Sequence, residues 1–173
     1  TRYSSVTGVQ TCALPILENF PITGHSVAHM PELIRAFAFV KKAAAQANFQ
    51  LGAINSQQAT AISQACDDLI AGQLHEQFVV DVIQGGAGTS TNMNANEVIS
   101  NRAIQISGGE VGSRDPVHPN DHVNMGQSSN DVIPTAIHVA VAEGLVKDLV
   151  PALEALAGAL EEKERKLWNV IKI

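Results

Sequence analysis

Charge is scarce in this chain and is not gathered anywhere. Only 16% of the 173 residues are Asp, Glu, Lys or Arg, and the formal net charge is -6. No clustered Lys/Arg face is visible, which argues against nucleic acid and against an anionic membrane surface as partners. Cysteine is as sparse: Cys12 and Cys66 stand far apart, with no CxxC and no Cys/His spacing. That pattern excludes a sequence-encoded zinc site or disulfide framework, and it makes the cytoplasm the default compartment. No apolar run reaches the roughly 18 residues of a membrane span, and no basic start followed by an apolar stretch marks a signal peptide. What is present is a 45% hydrophobic composition, sufficient for a packed core of one domain and part of a second.

The two ends read differently from the middle. Val6 to Ile16, VTGVQTCALPI, has no helical or strand period and no charge. It resembles a translated sequencing adaptor, so residues 1–16 are expected to be foreign to the protein and Cys12 to carry no meaning. At the other end WNVIKI closes a long helical pattern with neither a capping glycine nor a turn, and the chain is expected to be cut at both ends.

Between them, helical periods dominate. Leu33, Phe37, Val40, Ala44, Ala47 and Leu51 recur every three or four residues, with Pro31 in the first turn and Gly52 as stop. Ser56 reads as the N-cap of a second helix carrying Ile62, Ala65, Cys66 and Leu69, ended by Gly72 as C′. The two are expected to pair antiparallel. Phe78–Ile83, FVVDVI, has strand propensity. A modest helix is expected at 97–106. Two more are expected at 131–141 and 145–168, with Pro134 and Pro151 marking their starts. Leu145, Leu149, Leu153, Leu156, Leu160 and Leu167 form nearly one stripe, as in a bundle or coiled coil, while EEKERK reads as a solvated face.

Residues 84–130 break this regularity and are where chemistry is expected. Gly85, Gly86, Ala87 and Gly88 free their backbone N–H groups, and Thr89, Ser90, Thr91 and Asn92 follow at once. Such a turn entering a helix can hold an anion through uncharged donors, or it can be merely a turn and N-cap. With no Lys after the glycines and no βαβ pattern, a nucleotide-binding module is excluded. Gln127, Ser128, Ser129, Asn130 and Asp131 repeat the arrangement at a second helix start, so the two clusters could grip both ends of a dicarboxylate. Asparagines at 92, 94, 96, 101, 120, 124 and 130 imply a paired polar network if buried, structural or functional. His118, stiffened by Pro119 and followed by the turn formers Asn120 and Asp121, is either an exposed loop histidine or a functional one.

GGAGTSTNMNANEV and VHPNDHVNMGQSSNDVIPTAIH, separated by one helix and preceded by ENFPI, resemble the fumarase/aspartase superfamily over residues 17–173. The resemblance implies a mainly α fold. A small N-terminal helical domain with short irregular or strand segments, residues 17–140, would lead into the truncated start of a long-helix bundle at 141–173. A homotetramer without metal or cofactor would follow. It implies that Thr89, with the backbone of Ala87 and Gly88, and Ser128, Ser129 and Asn130 bind substrate carboxylates. His118, Pro119, Asn120 and Asp121 would line a second dicarboxylate site. The implied reaction is the reversible anti addition of water to fumarate, giving (S)-malate, as in the tricarboxylic acid cycle. The catalytic histidine and serine-loop motifs are expected beyond Ile173. GGAGTS is closer to aspartate ammonia-lyases, whereas HPND and QSSND are closer to class II fumarases. Aspartate ammonia-lyase is the alternative activity, and a non-catalytic structural protein on a lyase fold is the alternative of another class.

Overall fold

The computed structural model describes residues 14–84 and 86–171. Six α-helices carry them: α1 Leu14–Asn19, α2 Pro31–Gln50, α3 Ser56–Ile70, α4 Thr89–Ile106, α5 Ser129–Gly144 and α6 Val150–Leu167. Short 3-10 turns at Val27–His29 and His75–Gln77 and a π-helical turn at Pro119–Val123 lie between them, and a second π-helical turn, Leu145–Leu149, joins α5 to α6.

Helix α2 begins on Pro31, whose absent N–H is one of the unpaired donors of a first turn in any case. Its apolar spacing buries Ile34, Phe37 and Ala38 completely. Each large side chain removed from water in this way contributes about 2 kcal/mol. The cap of α3 is Asn55 rather than Ser56. Asn55 Oδ1 accepts from Gln58 N at 2.9 Å and Gln58 Oε1 accepts from Asn55 N at 3.1 Å. This reciprocal box satisfies two orphan donors where a serine alone satisfies one. Lys42 Nζ meets Asp67 Oδ1 at 2.6 Å, while Phe49 and Ala59 line one groove, so α2 and α3 run antiparallel as expected.

Phe78–Ile83 forms no strand. Val27 N and Ala28 N donate to the carbonyls of Val80 and Phe78, and Val82 N donates to His25 O, which leaves one isolated antiparallel bridge between Ser26 and Asp81. The facing segment coils into the 3-10 turn at Val27 and offers no further rungs. Phe78 and Val80 instead plug the core beside Ile62, Leu69, Ile99 and Ile104.

Two further boundaries differ from expectation. Helix α4 starts at Thr89, not near Glu97. Gln84 supplies the reason: its Oε1 accepts from Thr91 N at 2.8 Å and its Nε2 donates to Thr91 Oγ1 at 2.5 Å, so a side chain from outside the helix holds a first turn of poor helix formers. The chain also does not break between 141 and 145. Gly144 is helical (φ -64°, ψ -37°), and Pro134 lies inside α5, where it cannot donate to the Asn130 carbonyl. Pro151 falls just after the π-helical turn, in which Val150 N reaches back to Leu145 O. That widened turn accommodates the ring of a proline that would otherwise clash one turn back. From Leu145 onward the Leu149, Leu153, Leu156 and Leu160 side chains are all exposed.

Candidate functional site

The glycine-rich turn and the serine pair come together at the starts of α4 and α5. Gly86, Ala87 and Gly88 all have left-handed φ, of 74°, 51° and 81°. Ala87 pays a steric cost there that the glycines avoid, and strained backbone of this kind clusters at binding sites. The turn brings the start of α4 to the surface with Thr89 as the first helical residue, its N–H donating to Gly86 O at 3.1 Å and that of Thr91 to Gln84 Oε1 at 2.8 Å. Thr89 Oγ1 donates to Gly86 O at 2.6 Å and lies 3.3 Å from Ser129 Oγ.

Across from it, Ser128 caps α5, its hydroxyl oxygen accepting from Asn130 N at 3.3 Å. Ser128 and Asn130 are exposed and Ser129 is half-buried. The two helix starts touch so closely that a Cβ on Gly88 would lie 2.6 Å from Ile133 Cδ1. Glycine is therefore required at 88 twice over, by its φ and by its neighbour. Two positive helix ends, three hydroxyls and one amide thus share one surface with no lysine or arginine of their own. The fourth member of the glycine run, Gly85, lies outside the described residues.

His118 is not a free loop side chain. It caps the π-helical turn, its Nδ1 accepting from Asn120 N and Asp121 N at 3.2 Å each, with Asp121 Oδ2 at 3.3 Å. An Nδ1 that accepts leaves the ring proton on Nε2. His118 N in turn donates to His122 Nδ1 at 2.8 Å. Burial holds the His122 imidazole below its usual pKa, against the nearby Asp121 carboxylate, which raises it. Pro119 is buried, while Asn120 and Asp121 are exposed. Among the described residues no hydrogen bond joins this group to the Thr89 and Ser129 pair.

Of the seven asparagines four are buried and Asn120 and Asn130 are exposed. Pairing among the buried ones is partial, since Asn92 Oδ1, Asn94 Oδ1 and both amide atoms of Asn96 have no partner among the described residues. The network also contains a residue that sequence reasoning missed. Asn92, Asn94, Asn96 and Asn101 lie on α4 inside the protein. Asn124 Oδ1 accepts from both Asn92 Nδ2, at 3.1 Å, and Lys41 Nζ, at 2.9 Å. Lys41 is completely buried, and desolvation draws its pKa down to about 7 in spite of the Cys66 thiol nearby. The signal was available: Lys41 stands four residues after Phe37 and seven before Asn48, on the inward face of α2.

A family described as Lyase matches residues 8–173. The chain is 56% identical over 156 residues to a class II fumarate hydratase of Halobacterium salinarum, covering 90% of this chain and 33% of that protein. It is 49% identical over 166 residues to an aspartate ammonia-lyase of Helicobacter pylori, covering 96% and 35%. Among solved structures, a Brucella melitensis fumarate lyase:delta crystallin superimposes with a TM-score of 0.92 at 49% identity, over 96% of this chain and 39% of that one. The chain spans about a third of the length of the curated relatives it matches.

Proposed function

The chain belongs to the lyase family, and from that membership we propose that it is the N-terminal, carboxylate-gripping part of a class II fumarate hydratase, which adds water reversibly to fumarate to give (S)-malate. The observation that carries the reading is the meeting of two helix starts at Thr89 and Ser129, 3.3 Å apart. Thr89 with the backbone of Ala87 and Gly88 takes one substrate carboxylate, and Ser128, Ser129 and Asn130 take the other. Removal of a proton next to a carboxylate builds a second negative charge on that group. Hydroxyl and N–H donors at helix ends stabilise it once the Thr89 hydroxyl has turned from Gly86 O to the substrate, an effect worth on the order of several kcal/mol. The base and acid that move the protons would be supplied from beyond Ile173, and no residue here is assigned that role. His118, Pro119, Asn120 and Asp121 form a second dicarboxylate site.

The exposed leucine stripe on α6 supports a homotetramer in which the segment from 141 onward enters a helical bundle and residues 17–140 form the preceding domain. No helix among the described residues is long and apolar enough to cross a membrane, and we place the enzyme in the cytoplasm. The second reading is aspartate ammonia-lyase, favoured by the GGAGTS sequence and by the Helicobacter pylori relative. Both are tested by expressing the gene read past Ile173 and following fumarate absorbance with malate and, separately, with aspartate. Fumarate from malate alone establishes the hydratase, and from aspartate alone the ammonia-lyase. Fumarate from neither sinks both.

A further inference from the structure

Behind the two donor clusters, one buried lysine is tied through Asn124 to the segments that carry both. Asn124 Oδ1 is the meeting point: Lys41 Nζ donates to it from α2 at 2.9 Å and Asn92 Nδ2 from α4 at 3.1 Å. The same side chain's Nδ2 donates onward to Gln127 O at 3.4 Å. Asn92 lies three residues after Thr89, and Gln127 immediately precedes the α5 cap Ser128. Seven residues beyond Lys41 on α2, Asn48 Nδ2 donates to Met125 O at 2.9 Å. The turn 124–127 that launches α5 is thus tied to α2 at two points and to α4 at one.

We propose that Lys41 is a positioning residue that, through Asn124, sets the separation between the Thr89 and Ser129 ends of the dicarboxylate grip. A lysine with no exposed surface, its Nζ held by a neutral amide, is an expensive way to fill space. An apolar side chain of the same length fills it at less cost, so a purely structural site does not need the lysine. What the lysine adds is direction: its Nζ–H, on amine or ammonium alike, holds one oxygen, and with it the turn, in one place. Asn92 Oδ1 and Gln127 Oε1, buried and without partners among the described residues, flank this point along the same two segments. The turn's other side-chain bonds from Gln127, to Val123 O at 2.8 Å and Met125 O at 3.3 Å, are local and tie it to no other α-helix.

The kinetic half of the test rests on the fumarate hydratase reading; the exchange half does not. In the full-length protein that carries this segment, Lys41→Met keeps the volume and removes the Nζ–H donor. Expected are a melting temperature no lower than wild type, amide exchange of residues 124–130 faster by about tenfold or more, and a KM for malate raised by a similar factor with kcat less affected. Asn124→Leu should reproduce the exchange and KM effects, and the double variant should add little to either. Should Lys41→Met not fold, Asn124→Leu decides by the same two readouts. Unchanged exchange at 124–130 in the folded variant overturns the proposal, as does faster exchange with an unchanged KM in an active enzyme. If wild type forms fumarate from neither malate nor aspartate, the hydratase reading fails, and the exchange measurement still upholds or overturns the tie between Lys41 and the turn.

Discussion

Replacing Lys41 by Met should flatten the pH dependence of stability between pH 7 and pH 9. In the folded chain the lysine is drawn down from 10.5 to about 7, so in this range the unfolded chain binds more protons and stability must rise with pH. One unit of difference is worth about 1.4 kcal/mol. The lysine is half protonated in the folded state at pH 7, so the two-unit interval yields somewhat less than the full amount, about 2 kcal/mol. The window is bounded by two other groups. Burial pushes the Cys66 thiol up from 9.0 to about 12, with Asp67 adding to it, so above pH 9 the unfolded chain loses that proton first and the Cys66 contribution offsets the Lys41 rise, levelling the curve. His122, held below 6.5, costs stability only on the acid side. With a urea dependence of about 2 kcal/mol/M, the wild-type midpoint should climb by roughly 1 M from pH 7 to pH 9. The Lys41→Met midpoint should stay level and begin at or above that of wild type. A wild-type midpoint that does not move, or a variant that climbs in parallel, would refute the assignment of this slope to Lys41.

Gly88→Ala places a Cβ 2.6 Å from Ile133 Cδ1 at a φ of 81° and should cost about 2–3 kcal/mol in urea unfolding. Ile133→Val in the same chain should return part of the loss, and no recovery would show that the backbone alone is responsible. Asp81 accepts from Thr23 N, Gly24 N, Ile83 N and Thr23 Oγ1, which together hold its carboxyl down to about 2. Its contribution is complete above its ordinary 3.8 and is lost as pH falls toward 2, so Asp81→Asn should unfold less steeply with acid; identical acid profiles would count against these bonds. Cys66, buried with its thiolate disfavoured, should be alkylated by iodoacetamide only along the urea unfolding curve, as followed by mass spectrometry of its peptide. Rapid labelling in native buffer would contradict its place in the core.

The helices of the core were legible because their information is local. Phe37, Ile62 and Leu69 each stand in a three-to-four spacing that can bury only one face, and glycines at 52 and 72 end α2 and α3 in left-handed turns. The donor clusters were legible as types, since hydroxyls and an amide gather after a flexible turn at 86–92 and again at 128–130. Position was another matter. Phe78–Ile83 has the residues of a strand, yet a strand needs a partner, and the facing chain coils away after one bridge. Thr89 to Asn92 looks like turn material, yet Gln84 turns it into the first coil of a helix. The contact of Thr89 with Ser129 spans 40 residues and that of Lys41 with Asn124 spans 83. No spacing within the chain encodes either. Propensity and period act over one or two turns, whereas a hydrogen bond between distant segments exists only once the apolar faces have packed and brought its two ends within 3 Å or so of each other.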